Sequence, residues 1–169
     1  MAWNNPLTWT FGETLSAARL NQQIRDNLNF LKQKPVVMND LGTTNQTGIT
    51  SGWQKITNGD LQITTTGVSN LEFGLRLFIV DSDANNEMFF DIRDEDSTLY
   101  LSDGLSPATD GLFSMFSVYG NVAIGVYFTK LLLDVPAGTH NYAFYVRSEV
   151  TGGIIVNDIN KGELWVREV

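Results

Sequence analysis

The sequence predicts a mainly β chain: a short N-terminal helix followed by a jelly-roll β-sandwich. Three observations carry this. From Trp53 onward, extended runs alternate with turn clusters, at 53–57, 61–66, 71–80, 87–93, 98–102, 112–119, 122–133, 140–150, 153–157 and 163–168, the spacing of a sandwich or jelly roll. Aromatic residues make up 11% of the chain and are accompanied by 15 glycines and many Thr and Asn, a composition for strands and tight turns. The one clear helical period lies before Pro35.

With 169 residues and 43% apolar content, the chain has room for one such domain and a short appendage. Residues 1–15 hold Trp3, Pro6, Leu7, Trp9, Phe11 and Leu15 without regular period. Three large aromatic groups need a surface, since burying each is worth roughly 1.5–3 kcal/mol. Trp3, Trp9 and Phe11 are therefore the candidate docking residues.

Ser16 suits an N-cap, Leu15 and Leu20 stand where a hydrophobic staple would, and Pro35 stops the helix expected over 16–33. Its apolar stripe is Ala17, Leu20, Ile24, Leu28 and Leu31. Read as heptads, Ala17, Leu20, Ile24, Asn27 and Leu31 form a coiled-coil seam with Asn27 as polar register device. A single amphipathic helix packed on an apolar surface fits equally well, and either arrangement needs a partner. Residues 35–52 are polar and turn-rich after Val36–Met38 and read as a linker, so the organisation is arm and helix 1–34, linker 35–52 and head 53–169.

Two strands are apolar on both faces. In 122–133, Val122, Ile124, Val126 and Phe128 oppose Ala123, Gly125 and Tyr127; in 140–150, Tyr142, Phe144 and Val146 oppose Ala143 and Tyr145. A sandwich has one inner layer, so the second face, marked by Tyr127 and Tyr145, points to a subunit contact unless a loop of the same chain covers it.

Net charge is −8, and residues 1–34 carry four basic against two acidic groups, leaving −10 on the rest. An acidic head repels phosphates and anionic lipid, which argues against nucleic-acid or membrane-surface binding. No secretory signal precedes the head and no apolar stretch reaches the roughly 18 residues of a membrane span, so a soluble protein made in the cytoplasm is expected.

No residue pattern carries catalysis. With no cysteine and one histidine, His140, there is no thiolate chemistry, and no Gly-x-Ser-x-Gly elbow offers a nucleophile. The cluster Asp81, Asp83, Asn85, Glu87 starts like a calcium loop, but Asn86 and Ile92 stand where an EF-hand requires Gly and Glu. Asp94, Glu95 and Asp96 read as a solvated turn. No enzyme activity, metal or cofactor is expected.

The stretch Leu7-Thr8-Trp9-Thr10-Phe11-Gly12-Glu13-Thr14-Leu15-Ser16-Ala17-Ala18-Arg19-Leu20-Asn21, with Ile24-Arg25-Asp26-Asn27-Leu28, resembles the N-terminal segment of small tailed-phage structural proteins. Gly52-Trp53-Gln54-Lys55, Pro136-Ala137-Gly138-Thr139-His140 and the closing Leu164-Trp165-Val166-Arg167-Glu168-Val169 resemble the C1q/TNF-like jelly-roll heads. The two resemblances imply a virion protein: a homotrimer whose N-terminus, through Trp3, Trp9 and Phe11, anchors to tail or capsid proteins. Its trimer contacts would fall on Leu20, Ile24, Asn27, Leu31, Tyr127 and Tyr145. They leave open a tail fibre or tail-tip head whose loops 81–87, 94–97 and 103–111 meet a host receptor or glycan, and a capsid decoration or head-fibre protein. Phage fibres carry long shafts between anchor and head, whereas only the helix and the linker separate them here.

Overall fold

Two antiparallel sheets face each other around a single core, the layout of a jelly roll. The computed structural model describes residues 14, 16–25, 28, 34–80, 86–103, 111–117, 122–156 and 162–169. The strands are β1 Val36–Asp40, β2 Gln46–Ile49, β3 Gln54–Thr65, β4 Ser69–Val80, β5 Asn86–Asp94, β6 Leu99–Tyr100, β7 Phe113–Ser117, β8 Ile124–Val135, β9 Gly138–Ser148, β10 Gly153–Ile155 and β11 Glu163–Glu168. The first sheet runs β1-β11-β4-β10-β2, with β8 on the other edge of β4; the second runs β3-β9-β5-β6, with β7 also on β5.

Strict alternation builds the core. On β4, Leu71, Phe73, Leu75, Leu77 and Ile79 all point inward and are buried, and they meet Tyr142, Phe144 and Val146 of β9 and Phe90 and Ile92 of β5. Phe73 packs edge-on against Tyr142 with ring centroids 4.8 Å apart, and Phe128 against Phe144 at 6.2 Å.

The segment expected to be a linker belongs to the sandwich. β1 pairs with β11 from Val36↔Arg167 to Asp40↔Glu163, β2 pairs with β10, and Leu41 and Ile49 lie in the core. Its polar residues have structural work: the runs 53–57 and 61–66 are one strand, β3, whose ladder shifts between Lys55 and Asp60, where Asn58 takes a positive φ of 60°. Such a bulge leaves backbone groups unpaired. Gln46 satisfies two of them, its Nε2 donating to Lys55 O at 3.1 Å and its Oε1 accepting from Thr57 N at 2.8 Å. Asn58 Nδ2 donates to Leu41 O at 3.3 Å, and Asn39 Nδ2 donates to Asp60 O.

The helix is not the regular α-helix expected over 16–33. Ser16 caps it as anticipated, its Oγ accepting from Arg19 N at 3.3 Å, but after Ala17–Leu20 the backbone passes into a π turn at Asn21–Arg25. A π turn adds a residue to the i→i+4 period and rotates the later side chains about the axis, so an unbroken heptad seam does not run through Ile24. Among the described residues no helix is long and apolar enough to cross a membrane.

Replacing Gln46 by Ala removes both bonds to the bulge. Urea denaturation should show a loss of about 1–2 kcal/mol, and an unchanged midpoint would assign Gln46 no role in holding the bulge.

Candidate functional site

His140 and the acidic turn are occupied by structure. His140 Nε2 lies 2.9 Å from Pro136 O and its ring stacks on Tyr142. Asp94 caps the turn after β5, accepting from Asp96 N at 2.9 Å and Ser97 Oγ at 2.9 Å. Asp96 accepts from Asn141 Nδ2 at 2.8 Å and Asn141 N at 3.0 Å, bonds that hold its carboxyl below the usual range. Among the described residues no three His, Cys, Asp or Glu gather to hold a metal; residues 81–85 lie outside them.

The outer face of the first sheet is a different surface. Cross-strand register places Met38, Trp165, Gly74 and Thr129 in one row across β1, β11, β4 and β8. The row on one side is Asp40, Glu163, Arg76, Tyr127, and on the other Val36, Arg167, Glu72, Leu131. The charges in the middle of these flanking rows neutralise one another, Arg76 to Glu163 at 3.4 Å and Arg167 to Glu72 at 2.9 Å. Exposed pairs of this kind add about 0–1 kcal/mol; here their consequence is to keep apolar groups at the rim and centre. Tyr127 is 64% exposed, Met38 61% and Val36 60%, and Leu131 is exposed beside them.

One glycine lets the centre of the face lie flat. A Cβ on Gly74 would stand 1.8 Å from Cζ2 of Trp165, so the indole lies over the space where a side chain would be. Phe78, across from Gly125, stands 3.4 Å from a Cβ built there, an ordinary contact that a small side chain would tolerate. The Trp165 ring also meets Tyr127, centroids 5.8 Å apart. Val36, Met38, Tyr127, Trp165 and the two ion pairs line a shallow groove of about 430 Å³. The groove thus sets exposed Val36, Met38 and Tyr127 beside the half-buried Trp165.

The second sheet solves the same problem within the chain. Lys55 bridges Asp60 at 2.8 Å and Glu95 at 3.2 Å, Arg93 donates to the Tyr145 hydroxyl at 3.1 Å, and that hydroxyl donates to Glu95 at 3.1 Å. Tyr100 closes edge-on over Tyr145 at 5.3 Å, Trp53 meets Tyr100 at 5.4 Å, and Arg147 sits 3.8 Å over the ring of Phe89. Ser102 Oγ donates to the buried Asp91, which also accepts from Ile92 N at 2.7 Å. Burial raises the Asp91 pKa against these bonds.

Tyr127 is thus exposed on the outer face of the first sheet. Tyr145 is buried, at 7% exposed, because residues 93–102 and Trp53 cover its face. Leu20 and Ile24 are exposed on the helical segment, while Trp3, Trp9, Phe11, Asn27 and Leu31 lie outside the described residues. Val36, Met38, Gly74 and Trp165 escaped the sequence reading. Alternation of Val36 and Met38 about Val37, together with the lone Trp165 between Leu164 and Val166, was the available signal.

No protein-family model matches the chain, and no curated protein matches it in sequence. Among solved structures it is similar to VP2 of infectious bursal disease virus, as a subviral particle, at 8% identity and TM-score 0.44. That match covers 80% of this chain and 37% of VP2, so the chain spans little more than a third of that protein's length. It is also similar to Eiger TNF from S. frugiperda (9% identity, TM-score 0.42, 80% of this chain and 93% of that one). A third match is the C-terminal CBM6 of LamC, a marine laminarinase from Zobellia galactanivorans, at 14% identity and TM-score 0.36, over 79% of this chain and 93% of that one.

Two outcomes are expected from this geometry. Gly74→Ala should destabilise by roughly 1–3 kcal/mol through the clash with Trp165, and the cost should vanish in a Trp165→Ala background; a double-mutant cycle with no coupling would refute the flattening role. Asp91, whose folded pKa is raised, contributes stability that is present below its unfolded value of 3.8 and lost as pH rises through the folded one. Thermal melting of Asp91→Asn should therefore improve relative to wild type between acidic and neutral pH, and a pH-independent difference would contradict it.

Proposed function

We infer that this chain is a non-enzymatic structural protein of a tailed-phage particle, a homotrimer that joins through the outer face of its first sheet. The single observation that carries the reading is the flat apolar row Met38, Trp165, Gly74, Thr129 with its neutralised flanks, a surface one chain leaves bare. Neighbouring copies are the natural cover, since the ion pairs leave no strong net field to repel a like surface. Trimer rather than dimer, and virion rather than another assembly, follow from the resemblance of residues 7–28 to phage N-terminal segments and of the head to C1q/TNF-like heads.

In this reading Trp3, Trp9 and Phe11 dock onto tail or capsid proteins. The exposed Leu20 and Ile24 add contacts about the trimer axis, and the loop 94–97 is among those turned to a host receptor or glycan, as in a tail fibre or tail-tip head. A second reading, capsid decoration or a head fibre that stabilises the particle, is favoured by one feature: helical geometry is present at Leu28 and β1 begins at Val36, so the sequence leaves no room for a shaft between them.

Light scattering on the purified protein should give the mass of three chains, and Met38→Asp, which places a charge in the central row, should give one. Added purified head should block adsorption of particles to host cells. Normal adsorption by particles lacking the protein, with lowered heat resistance, would replace attachment by the decoration reading; a monomeric wild type would remove both.

A further inference from the structure

A cavity of about 460 Å³ opens between the β8–β9 turn and the segment from Asp94 to Asp103. Its walls are aliphatic, with Leu99 and Leu133 exposed at its mouth and Leu132 and Val135 deeper. The carboxylates of Asp94, Asp103 and Asp134 line it, and no Lys or Arg does. Asp94 is spent on its turn and one oxygen of Asp103 accepts from Tyr100 N at 2.7 Å. Asp134 is held in a positive-φ conformation of 56°, its N–H donating to Asn70 Oδ1 at 3.2 Å, and its carboxylate has no hydrogen-bond or ion-pair partner among the described residues.

An independent observation marks the cavity as a site. Tyr142 lines it, is only 4% exposed, and its hydroxyl has no hydrogen-bond partner among the described residues, although the ring is locked against Phe73 and His140. His140 is turned to Pro136 O and does not serve it. A buried hydroxyl left without a partner costs on the order of 1–3 kcal/mol, so a donor or acceptor supplied from outside the chain would recover that cost.

We propose that this cavity binds an alkylammonium group, the side chain of a lysine on a partner protein or a free primary amine. The alkyl stem lies between Leu99 and Leu133, the ammonium meets Asp134 and the free oxygen of Asp103, and the Tyr142 hydroxyl accepts one N–H. Charge excludes an anion. A saccharide finds no free aromatic face here, because the Tyr100 ring is engaged by Trp53 and Tyr145.

The test is methyl NMR of the full chain, titrated with n-butylammonium chloride against sodium chloride at equal ionic strength. Saturable shifts of the Leu99, Leu132 and Leu133 methyls are expected. Asp134→Asn should weaken binding about tenfold. Tyr142→Phe should weaken it several-fold while leaving melting unchanged or higher, since it removes only the unpartnered oxygen. Tighter binding of Nα-acetyl-lysine amide than of butylammonium assigns the lysine side chain as source, and the reverse order a free amine. No shift beyond the salt control, equal affinity in both variants, or shifts with methyl glucoside but not with butylammonium would each overturn the proposal.

Discussion

A two-sheet sandwich buries one face of each sheet by its own folding, and every apolar residue on an outer face must find cover elsewhere. This chain carries apolar groups on both outer faces, and the two are treated differently. On the second sheet the chain folds back: Tyr100, Glu95 and Trp53 close over Tyr145, and the Asp91–Ser102 bond holds the returning segment down. On the first sheet it does the reverse. Gly74 gives up its side chain so that the Trp165 indole lies across the strand, and the ion pairs on either side cancel.

That asymmetry organises the rest of the molecule. The indole of Trp165 buries one face against the bare backbone at Gly74 and is half-buried in the single chain; a matching surface laid on it would add dispersion contacts. Residues 35–169 carry a net charge of −10, and on this sheet face Arg76 and Arg167 offset Glu163 and Glu72.

Most strands from 71 onward were legible, because β4 alternates apolar and polar residues and β5 and β9 are apolar runs with Phe90 and Phe144 inside, each bounded by turn residues. β1 and β2 were not, since their Asn39 and Gln46 look like loop residues; they are polar because they satisfy the backbone groups freed by the bulge in β3. Apolar second faces were readable at Tyr127 and Tyr145 alike, yet the sequence could not say which one the chain covers itself, because that depends on where residues 95–103 return. Trp165 and Gly74 sit 91 positions apart in the chain and become a pair only through the β11–β4 register. The helix start at Ser16 was legible, while the π turn at Asn21–Arg25 is signalled by no spacing rule.

The most direct test of the self-association face uses the absence of cysteine from this chain. Thr129, in the central row, and Thr64, on the outer face of the second sheet, are both exposed in the single chain. Single variants Thr129→Cys and Thr64→Cys, reacted with a bulky thiol reagent under native conditions, should differ: the thiol at position 129 should be protected, and that at 64 should react like a free thiol. Equal, rapid reaction at both positions would mean that the flat face of the first sheet is open to solvent, and self-association through it would be ruled out.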